Sequence, residues 1–209
     1  MTRNEFLTQY WRYYLALEKD FIQMTRYIGL HKENFNVFSD EIHKQLISVG
    51  TEFENICKRI CEVLGINLPD RANITHFNQW IPQEEIKVIT IYSLDQFILL
   101  PFKIENGETQ WKWWKSYNSI KHNRLVNYKE VNFENLLNAL SALFYAEMFL
   151  IKKLGELNNE IDVPDEYSKL FKVENWMTEH QTVQIGNSIL TAREAKEIIN
   201  KYLPLNNKK

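Results

Sequence analysis

The sequence predicts a mainly α-helical protein, an up-and-down helical bundle with a small inserted β-hairpin and a small C-terminal α+β appendage. Three long segments repeat apolar residues at helical spacing, and the region between the second and third contains prolines and a β-branched run. A length of 209 residues fits one domain, or one domain with an appendage. We therefore place the bundle at residues 1–155, with an irregular insertion at 66–110, and the appendage at 156–209.

Two long helices open the chain. The first is predicted over residues 3–29, and its apolar stripe consists of Phe6, Tyr10, Tyr13, Leu17, Phe21, Met24 and Ile28. The second runs from its N-cap, Ser39, to about Leu64, where Gly65 and Pro69 mark its end. Its stripe consists of Ile42, Leu46, Val49, Phe53, Ile56, Cys57 and Ile60. The short polar link between the two indicates an antiparallel pair.

The insertion differs from the helices in composition. Pro69, Pro82 and Pro101 interrupt any helix there. Lys87–Tyr92 is rich in β-branched residues, and Phe97–Phe102 resembles a second short extended run. These two runs predict a β-hairpin.

A short helix over about 111–123 and a third long helix complete the bundle. Asn132 is the predicted N-cap of the long helix, and Gly155 is placed at its end. Glu147 falls on the margin of its apolar stripe, where a carboxylate usually snorkels to solvent or pairs with a partner.

The appendage begins with a polar linker that contains proline. Thr182–Leu190 alternates about Gly186-Asn187, which is typical of a hairpin. Thr191–Tyr202 is predicted as a helix that starts with a capping box.

Composition limits the classes of function. A net charge of -2 provides no overall field for nucleic acid, so any such binding depends on a local patch. Cys57 and Cys61 lie four residues apart on one helix, where a disulfide is strained, so we expect reduced, buried thiols. No residues stand at metal-ligand spacing, and we expect neither a metal nor another cofactor. With no signal peptide and no membrane-length apolar run, we expect a cytoplasmic protein without a membrane partner.

The most informative stretch is WKWWKSYNSIKHNR, Trp111 to Arg124. On a helix, residues three and four apart are neighbours. One side then carries Lys115, Asn118 and His122, and another side carries Trp113, Tyr117 and Ile120. The sequence therefore predicts one face that anchors the helix and one that presents polar groups.

These residue types suit phosphodiester chemistry. His122 can take or give a proton near neutral pH, and Asn118 can orient a ribose or phosphate oxygen. Lysine and arginine neutralise phosphate charge, and bases stack on aromatic rings such as that of Tyr117. The local basic cluster consists of Lys112, Lys115, Lys121, Arg124 and Lys129. A second reading stays open. Tryptophans in such a pattern are more often core anchors than stacking platforms, and a basic cluster is often only a solvated face.

The order of helices and the polar motif ending in histidine resemble the HEPN superfamily (higher eukaryotes and prokaryotes nucleotide-binding domain). The resemblance covers about residues 1–155 and rests on WKSYNSIKHNR, Trp114–Arg124, and on the following helix, NFENLLNALSALFYAEMFL. It implies a HEPN-like bundle that forms a homodimer, and the abundance of aromatic residues also favours a buried dimer interface. Active members of that family are metal-independent endoribonucleases that activate a ribose 2′-hydroxyl.

Residue by residue, the resemblance puts Asn118 at the family's polar position and His122 at its histidine. The arginine position falls on Tyr117, which is a departure from the family's motif. Lys115 lies within the permitted spacing but is not arginine, and Arg124 stands beyond the histidine.

Two hypotheses of function follow. The first is a non-catalytic HEPN-like module that binds RNA, a nucleotide or a cognate protein partner, in a toxin–antitoxin or phage-defence system. The second is a metal-independent endoribonuclease with His122 as acid and base, Asn118 orienting the substrate, and Lys115, Tyr117, Lys121 and Arg124 binding it. The missing arginine favours the first, and enzymatic activity stays an open question.

Overall fold

The structure is a computed structural model that describes residues 1–81, 85–92, 96–103, 111–123, 128–176, 182–185 and 188–191. Of residues 122, 123, 182–185 and 188–191 only the backbone is described. The helices are α1 (Arg3–Phe6), α2 (Arg12–Met24), α3 (Asp40–Val63), α4 (Ile74–Phe77), α5 (Lys112–Asn123) and α6 (Phe133–Asn158). The strands are β1 (Val88–Thr90), β2 (Ile98–Leu99), β3 (Phe171–Val173), β4 (Thr182–Ile185) and β5 (Ser188–Thr191). The described part of the chain is therefore mainly helical, as predicted.

Helices α3 and α6 pack against each other at the centre of the protein. Every residue of the stripe predicted for α3 is fully buried. Both predicted N-caps are confirmed, because Ser39 Oγ accepts a hydrogen bond from the Ile42 N–H at 3.2 Å and Asn132 Oδ1 accepts one from the Asn135 N–H at 3.0 Å. Local capping and apolar spacing thus position the two helices that support the rest of the fold.

The first helix departs from its predicted stripe. A π-helical turn, Leu7–Trp11, lies between α1 and α2. Because a π-turn adds one residue to a helical turn, the buried side passes from Phe6 to Trp11 and Tyr14. Tyr10 is half-buried and packs against the core, but Tyr13, which the regular spacing had placed in the core, is 43% exposed. The prediction was wrong at Tyr13, and α2 also ends earlier than expected, at Met24.

The insertion holds the predicted hairpin and also joins a strand from the tail. Strands β1 and β2 are antiparallel, with Val88 opposite Leu99. Strand β3 pairs with the other side of β1, so the sheet has the order β2-β1-β3. The β3 residue Phe171 is buried with its ring 5.7 Å from that of Phe144 on α6. The tail thereby packs on the helical core, which the sequence did not indicate.

Helix α6 continues past Gly155, where its end was predicted. It ends at Asn158, and Asn159 adopts the left-handed conformation with φ 54°. Gly155 has another role, because a Cβ there would lie 2.5 Å from the Cβ of Asp162. The glycine allows the segment after α6 to fold back closely against the helix.

Buried ionisable groups divide into expected and unexpected cases. Cys57 and Cys61 are free and buried, as predicted, and burial raises the pKa of the Cys57 thiol. Glu147 was expected to reach solvent or a partner, and that expectation was wrong. It is 0% exposed, and neither carboxyl oxygen has a hydrogen-bond partner among the described residues. Burial, followed by the nearby Glu52, raises the pKa of Glu147 well above its ordinary value.

In the tail, β4 and β5 form the predicted antiparallel hairpin. Its turn at Gly186-Asn187 and the helix predicted after Thr191 lie outside the described residues. No helix in the described ranges is both long enough and apolar enough to cross a membrane.

Candidate functional site

Helix α5 is anchored by its aromatic residues. Trp111, Trp113 and Trp114 are all buried, and they surround the Phe53 ring with centroid distances of 6.2, 5.0 and 5.9 Å. The Trp113 indole N–H also donates to the carbonyl of Pro101 at 2.8 Å. Of the two readings of the tryptophans, the core-anchor reading is confirmed. Their faces are in contact with the core and are not available for base stacking.

The inner side of α5 meets α3 at a glycine. A Cβ on Gly50 would lie 2.3 Å from Cδ2 of Tyr117, so the glycine makes room for the tyrosine ring. The Tyr117 hydroxyl donates to Glu54 at 2.8 Å, and Lys121 Nζ binds the same carboxyl oxygen at 2.8 Å. Burial is the main cause of the raised pKa of Tyr117. The hydrogen bonds with Thr51 and Lys121 oppose the rise, and the hydrogen bond with Glu54 adds to it. Tyr117 and Lys121 therefore connect two helices.

The other predicted site residues lie elsewhere on α5. Lys115 is exposed and Asn118 is half-buried, so both are on the outer side, as the helical spacing predicts. His122 belongs to α5, but its side chain lies outside the described part of the structure, as does all of Arg124. The structure brings Tyr117 and Lys121 together at Glu54, and it places Lys115 and Asn118 on the outer side of the same helix.

A large groove opens at the other end of α5. Its volume is about 1120 Å³, and it lies between strand β2, the start of α5 and the first turns of α6. Its polar lining consists of His31, Lys32, Gln96, Lys103, Lys112, Glu134, Asn135 and Asn138. We call this the basic groove, because lysine is its most frequent charged residue.

The floor of the basic groove is held by hydrogen bonds. Asn135 Nδ2 donates to Ser116 Oγ and to the carbonyl of Glu130, each at 2.8 Å. Lys32 and Lys112, which also line the groove, are exposed. The indole N–H of Trp111, which also lines the groove, has no acceptor among the described residues. The exposed cations suit an anionic ligand.

The open edge of the sheet forms one wall of the basic groove. Thr90 N–H donates to the carbonyl of Phe97, and the Phe97 N–H donates to the Thr90 hydroxyl, so both backbone groups of Phe97 face β1. Antiparallel pairing alternates, and Ile98 is therefore turned so that its N–H and C=O point away from β1. No described strand lies on that side of β2. The Ile98 side chain is 59% exposed.

Sequence reasoning found only one cation of this groove, Lys112, as a member of the basic cluster. Lys32 and Lys103 come from segments distant in the chain, and no local spacing connects them. Among the described residues, no group of three or more His, Cys, Asp and Glu side chains is placed to hold a metal ion. No protein-family model, curated protein or solved structure matches this chain.

Proposed function

We propose that this protein is a non-catalytic, HEPN-like binding module that holds an anionic partner in the basic groove. RNA, a nucleotide and an acidic segment of a cognate protein share the required chemistry. Support for the HEPN-like architecture comes from the two long N-terminal helices, the short motif-bearing α5 and the long α6 in that order. We also propose a cytoplasmic homodimer in a toxin–antitoxin or phage-defence system.

One observation carries the binding proposal: lysines from three separate segments line a single groove, against one glutamate. Clustered cations beside a low-dielectric wall attract an anionic ligand and raise its rate of association. The residues of the α5 motif are less suited to bind an anion, because Tyr117 and Lys121 already bind the carboxylate of Glu54.

Reversing two of these charges is expected to weaken anion binding. In a Lys32→Glu/Lys112→Glu variant, we expect the Kd for a labelled anionic ligand to rise by about tenfold or more at low salt, because like charges then face the ligand. Fluorescence anisotropy with a labelled eight-nucleotide RNA, a labelled nucleoside triphosphate and a labelled acidic peptide measures the change in Kd for each ligand class.

The matched control is Lys19→Glu/Lys169→Glu, which makes the same change in net charge at exposed lysines outside the groove. Its Kd should stay within about twofold of that of the wild type. An equal loss in both double variants would contradict a groove-specific site, and so would an absence of binding by the wild type.

A metal-independent endoribonuclease is the second candidate. It is favoured by the outward position of Lys115 and Asn118, which precede His122 on the same helix. In that hypothesis, His122 exchanges protons with the ribose and leaving-group oxygens, and Lys115 neutralises the charge on the phosphate.

The two candidates differ in RNA turnover. For a binding module, we expect no cleavage of a fluorogenic RNA by the wild type, with or without a chelator. Cleavage that persists in chelator, is lost in His122→Ala and is kept in His76→Ala would instead establish the ribonuclease. His76 is a suitable control because it lies on α4, in a separate segment of the chain.

A further inference from the structure

We infer that the basic groove binds an extended acidic peptide, which adds as a strand to the open edge of β2. The inference rests on the proposed function, since it names the class of anion that the groove holds. Three observations support a peptide: a backbone edge of β2 that no described strand covers, the size of the groove and the burial of its aromatic residues.

The outer edge of β2 presents backbone groups to a further strand. Because Phe97 and Leu99 face β1, the N–H and C=O groups of Ile98 between them point outward, and Ile98 lines the groove. At the end of this edge the Leu100 carbonyl already accepts a hydrogen bond from the Lys103 N–H, so an added strand would bond mainly at Gln96 and Ile98. The edge from Gln96 to Leu100 is about 13 Å long at the rise of an extended chain. Another extended backbone presents donors and acceptors at the same repeat, and strand addition uses this match.

Size and charge agree with a peptide. The volume of 1120 Å³ exceeds the roughly 300–1,000 Å³ of typical small-ligand sites and suits a segment of a polymer. Lys32 and Lys112, both exposed, line the same groove as the strand edge. Acidic side chains of an added strand would lie beside them, and exposed edges without a partner are otherwise a liability for a protein.

The aromatic residues argue against RNA. Trp111 and Trp113 line the groove but are only 4% and 2% exposed, and their rings stack on each other at 5.8 Å. Single-stranded nucleic acid is usually held by exposed rings on which its bases stack. A peptide backbone needs no such rings.

The test uses backbone methylation. The probe is a fluorescein-labelled octapeptide of alternating Glu and Val, compared with two versions N-methylated at either set of alternate residues. In an added strand only one set of N–H groups faces β2. We expect one methylated peptide to bind at least about tenfold more weakly, since it loses more than one hydrogen bond to β2 and each lost bond weakens binding by up to about tenfold. The other should bind within about twofold of the parent, as its methyl groups face away.

A protein variant gives the reciprocal measurement. Ile98→Pro removes the outward N–H at a residue that does not hydrogen-bond to β1, and proline is tolerated on edge strands. Peptide binding should fall by about tenfold, with an unchanged circular dichroism spectrum. If Ile98→Pro does not fold, the methylated peptides still decide the question on the wild-type protein.

Other outcomes separate this inference from the proposed function. Equal binding of both methylated peptides would overturn strand addition. Groove-dependent binding of an eight-nucleotide RNA, without binding of the peptide, would overturn the peptide and leave an anion-binding module. No saturable binding of the peptide, the RNA or a nucleoside triphosphate would overturn both.

Discussion

Gly50→Ala is expected to destabilise the protein by roughly 2–3 kcal/mol, the cost of forcing a methyl group into a filled site. The added Cβ would lie 2.3–2.6 Å from three ring atoms of Tyr117, and that ring is fully buried. Alanine is favoured over glycine in a helix by about 1 kcal/mol, which offsets only part of this loss. Urea denaturation followed by far-UV circular dichroism measures the net change.

Two further variants show that the loss comes from the contact with Tyr117. Gly29→Ala, at a glycine outside the helices, is the control for the added methyl group, because among the described residues its Cβ would meet Asn34 Nδ2 at 3.6 Å, an ordinary contact. Gly50→Ala combined with Tyr117→Ala should lose less than the sum of the single variants, since the clash is removed. Additive losses, or a stable Gly50→Ala, would contradict the close packing of α3 and α5.

Replacing Glu147 with leucine is expected to stabilise the protein by about 1–3 kcal/mol at pH 7, the usual cost of a buried polar group without a partner. Burial and the neighbouring Glu52 hold the pKa of Glu147 well above 4.5. The folded state therefore keeps a proton that the unfolded chain releases. Stability due to this group is complete below about pH 4.5 and is lost as pH rises toward the folded-state pKa.

The gain in Glu147→Leu should consequently be larger at pH 8 than at pH 4. The groups facing Glu147 are Glu52, whose pKa is also raised by burial, and Tyr14. Thermal denaturation across this pH range measures the difference, with Glu160→Gln as a control at an exposed carboxylate. An equal gain at both pH values, or a loss at pH 8, would contradict a protonated Glu147.

Much of the helical fold was predictable because its signals are local. Ser39 and Asn132 cap α3 and α6 through contacts within four residues, and α3 buries the stripe that its spacing defines. Predictions from local spacing were wrong where a contact between distant residues determines the backbone. Gly155 resembles a helix end, yet it is needed for the approach of Asp162, and the left-handed residue is Asn159. The π-turn before Trp11 likewise changes the helical phase without a signal in the local spacing.

The candidate site was predictable only in part, for the same reason. Helical spacing correctly divided α5 into an inner side with Trp113 and Tyr117 and an outer side with Lys115. The basic groove was not apparent, because its lysines come from separate segments of the chain and its wall is a strand edge. The strand order β2-β1-β3 depends on contacts between distant segments, and local apolar spacing does not specify which strand lies at the edge.

The most direct test of anion binding in the basic groove is a heteronuclear NMR titration of the deuterated protein with the alternating Glu–Val octapeptide. We expect saturable shifts of the backbone amides of Lys32, Ile98 and Lys112, which line the groove, and none at Lys19 on the exposed side of α2. Shifts confined to Lys115 and Asn118, or no saturable shift with either the peptide or an eight-nucleotide RNA, would contradict the groove as the binding site.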